Sequence, residues 1–191
     1  MPNPAIPLSV LLLAGGRGQR MAGQDKGLVN WQGKAMVSWV HDVVRSITDD
    51  LIISCNRNTQ LYSVFADRLL NDDENTFEGP LAGIRVGLRN AKHPHLLVLP
   101  CDVPQVDAEL VHEIISLAGD KPVMVRQGEM LEPLFCLIPT CLYTHLEEAW
   151  QAGERSPQHW LLKHAPVFVC CPPNDPRLAN FNTPESLLEQ D

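Results

Sequence analysis

Leu8-Ser9-Val10-Leu11-Leu12-Leu13 is an almost wholly apolar run, and Ala14-Gly15-Gly16-Arg17-Gly18-Gln19-Arg20-Met21 follows it directly, continuing through Ala22-Gly23-Gln24-Asp25-Lys26-Gly27. An apolar run ended by glycines predicts a strand buried on both faces, with a loop leaving its carboxyl end. In open α/β sheets ligands bind at that end. Glycines let a backbone turn sharply and bring N–H groups against phosphate oxygens with no Cβ in the way. Arg20 and Lys26 would add positive charge, one as a planar fork and the other as a point charge. The better-known phosphate patterns do not fit: Met21 stands where a dinucleotide fingerprint needs its third glycine, and Lys26 precedes a glycine rather than Ser or Thr. By shape alone the segment is also an ordinary connection between a strand and a helix.

Outward from this segment, short apolar runs alternate with helical periodicity. The runs are Leu8–Leu13, Leu51–Cys55, His95–Leu99 and Pro122–Val125. Met36, Val37, Val40, Val43, Val44 and Ile47 fall at helical spacing, as do Leu81, Ile84, Leu88 and Ala91, and later Leu110, Val111, Ile114, Ile115 and Ala118. The first two-thirds therefore reads β-α-β-α-β-α-β, an α/β, Rossmann-like three-layer domain with a mostly parallel central sheet. In the last third, Gln127-Gly128-Glu129 predicts a turn joining Val123–Arg126 to Pro133–Ile138, as a hairpin or a bulged crossover. Helices follow over Leu142–Ala152 and Pro157–His164, then a strand at Val167–Cys170 and a final helix capped by Thr183.

The chain of 191 residues is expected to form a single domain spanning 1–191. Its net charge of −8 argues against a nucleic-acid or anionic-membrane surface. Yet Arg17, Arg20, Lys26 and Lys34 face Asp25 alone among the first 34 residues, which points to a small anionic ligand. Six cysteines without a CxxC pair, and an N-terminus lacking the charged and apolar regions of a leader, lead to a cytoplasmic expectation. The acidic surface leads to the expectation of a monomer. The scattered histidines form no HExxH or Ser-His-Asp pattern.

The segment Leu13–Lys26 resembles the LAGGxxxRM…DK signature of nucleotidyltransferases of the nucleotide-diphospho-sugar transferase type, and within them the molybdenum cofactor guanylyltransferases, the MobA-like enzymes. Further matches come in order along nearly the whole chain: Asn56-Arg57, Asp72, Gly79-Pro80-Leu81-Ala82-Gly83, Pro100-Cys101-Asp102-Val103-Pro104, Glu132-Pro133-Leu134, Ala152-Gly153-Glu154-Arg155 and Asn180-Phe181-Asn182-Thr183-Pro184. The resemblance implies catalytic roles for Arg20, Lys26 and Asp102, with Asp102 holding Mg²⁺. It implies contacts to the nucleotide and acceptor from Leu13, Ala14, Gly15, Gly16, Lys26, Ser54, Asp72, Gly79, Asp102, Arg155, Asn180 and Asn182. Residues to about 105 would bind nucleotide, and those from about 106 to 191 the acceptor. Two positions depart from the pattern, Ala22 for its usual glycine and Ser54 for an asparagine.

The residues themselves leave other readings open. Asp102 follows a strand, where a hard oxygen suits Mg²⁺ beside substrate phosphates; an Asp-Val-Pro turn explains it equally. Asn180 and Asn182 read as amide donors or as helix caps, and Arg155 as a phosphate ligand or a partner of Glu154. The implied reaction transfers GMP from GTP to the terminal phosphate of molybdopterin, giving molybdopterin guanine dinucleotide and pyrophosphate. Molybdoenzymes or their chaperones are the implied protein partners. The alternatives are a CTP-dependent enzyme, a sugar or cobinamide phosphate acceptor, or a non-catalytic nucleotide-binding protein that delivers the cofactor. Gly15-Gly16, where cytidylyl relatives tend to have Ala-Gly, favours GTP.

Overall fold

The structure is a computed structural model that describes residues 6–14, 25–71 and 79–181. Gly15, Gly16, Arg20, Ala22, Asp72, Asn182 and the helix expected after Thr183 lie outside the described residues.

The first apolar run forms β1 (Leu8–Leu13), and its alternating side chains enter two cores. Leu8, Val10 and Leu12 pack with Val37, Val40 and Val44 of α1 (Met36–Val44) and with Leu110, Val111 and Ile114 of α4 (Ala108–Ser116). Leu11 faces the other way, onto Leu81, Ile84 and Leu88 of α3 (Pro80–Asn90). α5 (Tyr143–Gln151) and α6 (Pro157–Lys163) extend that second layer with Leu146, Trp150, Trp160 and Leu161. An apolar run buried on both faces thus requires helices on both, which is the three-layer arrangement expected.

Two features differ from the expected order. A short hairpin, β2 (Asn30–Trp31) and β3 (Lys34–Ala35), precedes α1, turning at Gln32 and Gly33, both with positive φ. After β4 (Leu51–Ser54), the brief helix α2 (Thr59–Tyr62) leads to an extra parallel strand, β5 (Arg68–Leu70), before α3. These strands of two and three residues are too short to leave a periodic signal. β6 (His95–Pro100) follows α3, and β9 (Val167–Cys171) closes the described strands. β7 (Val123–Gln127) and β8 (Met130–Pro139) form the expected hairpin, with a register shift at Met124/Val125.

The sheet runs β5-β4-β1-β6-β8-β7-β9. β1 pairs in parallel with β4 on one side and β6 on the other, whereas β8 is antiparallel to both β6 and β7. The chain moves outward from β1 through β4 to β5, then returns to add β6 on the opposite side of β1. The crevice beyond the carboxyl ends of β1 and β6 is the switch point at which such sheets bind ligands.

Glycines bring α3 down onto that crevice. A Cβ on Gly83 would lie 2.8 Å from Leu13 Cδ2 and 3.0 Å from Ser54 Oγ, so any side chain there would lift the helix from β1 and β4. Pro80 opens α3, as expected, behind Gly79 at φ 89.

Candidate active site

Leu13 and Ala14 hold the carboxyl end of β1 between its two neighbouring strands. Ala14 N–H donates to the Ser54 carbonyl at 2.9 Å, and Cys101 N–H donates to the Leu13 carbonyl at 3.2 Å. The ends of β4, β1 and β6 are thereby tied side by side. Ser54 is buried, with its hydroxyl beneath Gly83.

Just after the glycine-rich segment, Lys26 meets Asp102. Their Nζ and Oδ2 are 3.8 Å apart, with side chains 29% and 15% exposed. Burial raises the Asp102 carboxyl above its ordinary value, while the charge of Lys26 pulls the other way. Burial prevails because Lys26 stands at the far limit of an ion pair. Asp102 is therefore a desolvated carboxylate with capacity for another cation.

Asp25 sets where Lys26 stands. It accepts a hydrogen bond from the Tyr62 hydroxyl at 2.5 Å and another from Asn58 Nδ2 at 3.2 Å. Gly27 is packed so closely that an added Cβ would come within 2.6 Å of both Tyr62 Oη and Cys101 Sγ. The residues flanking Lys26 are thus fixed against the one preceding Asp102. Burial, then the nearby Asp102 and Asp25 charges, push the Cys101 thiol well above its ordinary value. A thiol so held stays protonated and serves as packing rather than as a nucleophile. Cys55, Cys101, Cys136 and Cys171 are buried, while Cys141 and Cys170 are exposed.

The far end of the described chain returns to the same place. Phe181 N–H donates to the Asp102 carbonyl at 3.3 Å, and its ring packs against Trp31 with centroids 5.5 Å apart. Asn180, immediately before Phe181, is therefore carried to the site by a hydrophobic anchor formed with Trp31 and Met36. Asn58, Tyr62 and Trp31 carry no motif. Only their side-chain contacts mark them, and these join residues far apart in sequence.

Arg155 lies in the turn between α5 and α6. β8 runs toward the amino ends of β1 and β6, so α5 runs back and sets this turn at the crevice end. The Arg155 guanidinium stacks 3.8 Å from the Trp150 ring centroid, and Nη1 donates to the carbonyls of Trp150 and Glu154. Gly79 stands at the N-terminus of α3, also at the crevice end.

Among the described residues no cluster of three or more His, Cys, Asp or Glu could hold a metal unaided. A desolvated carboxylate such as Asp102 still suits Mg²⁺, which takes one or two carboxylates, substrate phosphate oxygens and water.

The MobA-like NTP transferase domain family matches residues 10–167. The chain belongs to this family. A molybdenum cofactor guanylyltransferase of Ectopseudomonas mendocina is 57% identical over 185 residues, covering 97% of this chain and 92% of that relative. One of the same name from Pseudomonas aeruginosa is 54% identical over 191 residues, covering 98% and 96%. Among solved structures, the molybdopterin-guanine dinucleotide biosynthesis protein A of Archaeoglobus fulgidus superposes with a TM-score of 0.71 at 23% identity, covering 94% and 95%. The 4-diphosphocytidyl-2C-methyl-D-erythritol synthase of Anaerococcus prevotii reaches 0.73 at 11% identity, covering 96% of each chain. At such low identities these structures show the fold alone, and they do so for enzymes with different names. The family accounts for the mostly parallel seven-stranded sheet, and it makes the chain a nucleotidyltransferase. No helix among the described residues is long and apolar enough to cross a membrane.

Proposed function

We propose that this protein transfers GMP from GTP to the terminal phosphate of Mo-molybdopterin, forming molybdopterin guanine dinucleotide and releasing pyrophosphate. The observation that carries the reading is the Lys26–Asp102 pair at the crevice between β1 and β6, directly after the glycine-rich segment. The names of the relatives that match almost the whole chain supply the nucleotide and the acceptor.

An acceptor phosphate oxygen attacks the α-phosphorus of GTP. A new P–O bond forms, the bond to the bridging oxygen breaks, and the electron pair leaves with pyrophosphate. A phosphate monoester is largely dianionic at neutral pH, so the attacking oxygen needs no general base. Catalysis is then alignment plus stabilisation of the migrating charge. Lys26 stands where it can neutralise the phosphate chain, and Arg20 would join it from the loop. Asp102 would hold Mg²⁺, which would supply positive charge to offset that of the reacting phosphates. Gly15, Gly16, Gly79 and Asp72 would line the nucleotide side, with Ser54 beneath it. Arg155, Asn180 and Asn182 would serve the acceptor. Residues to about 105 thus bind nucleotide and the remainder the acceptor, in a cytoplasmic monomer that passes its product to molybdoenzymes or their chaperones.

Pyrophosphate release with Mg²⁺ and each of GTP, CTP, ATP and UTP, with and without molybdopterin, tests this directly. GTP turnover that depends on molybdopterin is expected. Equal or better use of CTP would reject guanylyl transfer, and no turnover with any triphosphate would reject an enzyme altogether.

A further inference from the structure

Pairing between β6 and β8 stops at Val98 and Cys136. β8 nevertheless extends outward to Met130, and there its recorded pairing is with β7 alone. Met124 lies opposite Cys136 while Val125 lies opposite Glu132, so Pro133-Leu134-Phe135 form an irregularity in β8 where its pairing with β6 ends. On the crevice side the two strands are therefore unpaired, which leaves a wedge between them. Measured along β7, Glu132 stands one rung beyond the last β6–β8 pair, on the side of the crevice into which β6 leads to Asp102. Directly opposed residues share a face, so Glu132 points with Val125 toward the α1 and α4 side, where Cys101 also packs.

Glu132 is partly buried, and among the described residues no hydrogen bond or ion pair reaches its carboxylate. Burial is the sole influence on it, raising its carboxyl above the ordinary glutamate value. Its counterpart at the opposite end of the molecule, Asp50, is met by four donors. A desolvated carboxylate without a donor costs stability, and a ligand presenting two adjacent N–H groups would satisfy it as a guanidinium does. Phosphate offers no such donors and would be repelled.

We propose that Glu132 recognises the ring end of the acceptor, receiving the 2-amino and N3–H donors of its pterin across the wedge between β6 and β8. This rests on the function proposed above. Guanine carries a similar pair of donors, but Leu13, Ala14 and Gly79 lie at β1 and α3, whereas Glu132 lies beyond β6 on the other side. Glu132 acts on specificity and binding of the second substrate, and the bond-making step does not involve it.

Glu132→Gln keeps the shape and removes the charge. Its KM for molybdopterin should rise roughly 10- to 100-fold, as expected for loss of a charge-assisted bidentate contact, while KM for GTP stays within about twofold. Thermal stability should be unchanged or higher, because an uncompensated charge has been removed. An unchanged KM for molybdopterin, a rise in KM for GTP instead, or a lower Tm with both KM values intact would each overturn the assignment. A binding measurement needs no turnover: by fluorescence, the unaltered protein should hold 6-hydroxymethylpterin at least about tenfold tighter than the lumazine analogue with oxygen in place of the 2-amino group. Glu132→Gln should lose that preference, and its retention would overturn the proposal. Absence of molybdopterin-dependent GTP turnover in the unaltered protein is a separate result, which would reject the proposed function.

Discussion

Asp50, fully buried, and Asp102, partly buried, are carboxylates at opposite ends of the same sheet, and their surroundings push them in opposite directions. Asp50, just before β4, is completely buried. It accepts from Ser9 Oγ at 2.6 Å, from Lys92 N–H at 3.0 Å, and from Arg68 Nε and Nη2 at 3.1 and 2.5 Å. Burial alone would raise its carboxyl, but the bonds from Ser9, Lys92 and Arg68 outweigh this and hold it below the ordinary value. Asp102 has one lysine at 3.8 Å, and burial wins. A buried charge surrounded by donors ties β1, β4, β5 and the approach to β6 together. One left short of partners adds little stability and remains available to a cation.

The difference can be broken most sharply at Asp102. Asp102→Ala should lower turnover at least about 100-fold, the loss seen when a preorganised charge-stabilising group is removed. Its melting temperature should stay level or rise, and a combined kinetic and thermal measurement checks both. A large fall in Tm would make Asp102 structural and erase the contrast.

Asp50→Ala should do the reverse. Removing one partner of a buried ion pair costs about 3 kcal/mol or more, on the order of 10 °C in Tm for a chain of this length. Turnover below the melting range should be retained. The pH dependence has a definite sign. Because the folded-state pKa of Asp50 is lowered, its contribution is complete above the unfolded value, near 3.9, and is lost as pH falls through the folded value. Thermal melts from pH 6 downward should therefore show a steeper loss in the unaltered protein than in Asp50→Asn.

Two smaller effects test how the crevice end is held. Gly27→Ala places a methyl within 2.6 Å of Tyr62 Oη and Cys101 Sγ, and should cost about 1–3 kcal/mol by overpacking while reducing kcat. Tyr62→Phe removes one hydrogen bond to Asp25 and should cost about 1 kcal/mol, with a fall of a few-fold in kcat as Lys26 loosens. An effect on Tm without any on kcat would show that Asp25 does not position Lys26.

Much of the fold was legible because its signals are local. β1, α1, β6, α4, the β7–β8 hairpin and β9 each bury a continuous run or a periodic face, and the residues that do so are close in sequence. β2, β3 and β5 were not legible, being two or three residues long and stabilised by neighbours rather than by a pattern of their own. At the site, Lys26 and Asp102 could be nominated from glycines and strand ends. Asn58 and Tyr62 could not, since their hydrogen bonds to Asp25 span 33 and 37 residues.

The sequence by itself determined the alternation of strands and helices, the placing of a glycine-rich segment after a fully buried strand, and the identity of the charged groups available to a phosphate chain. Those properties follow from side-chain hydrophobicity, backbone freedom and charge, which each residue carries wherever it stands. Only the tertiary structure decided that β6 lies beside β1, so that Asp102 meets Lys26; that Phe181 returns to Asp102; and that β8 parts from β6 near Glu132. These depend on which surfaces pack together and how far each group is desolvated, properties that belong to pairs of distant residues and to no segment alone.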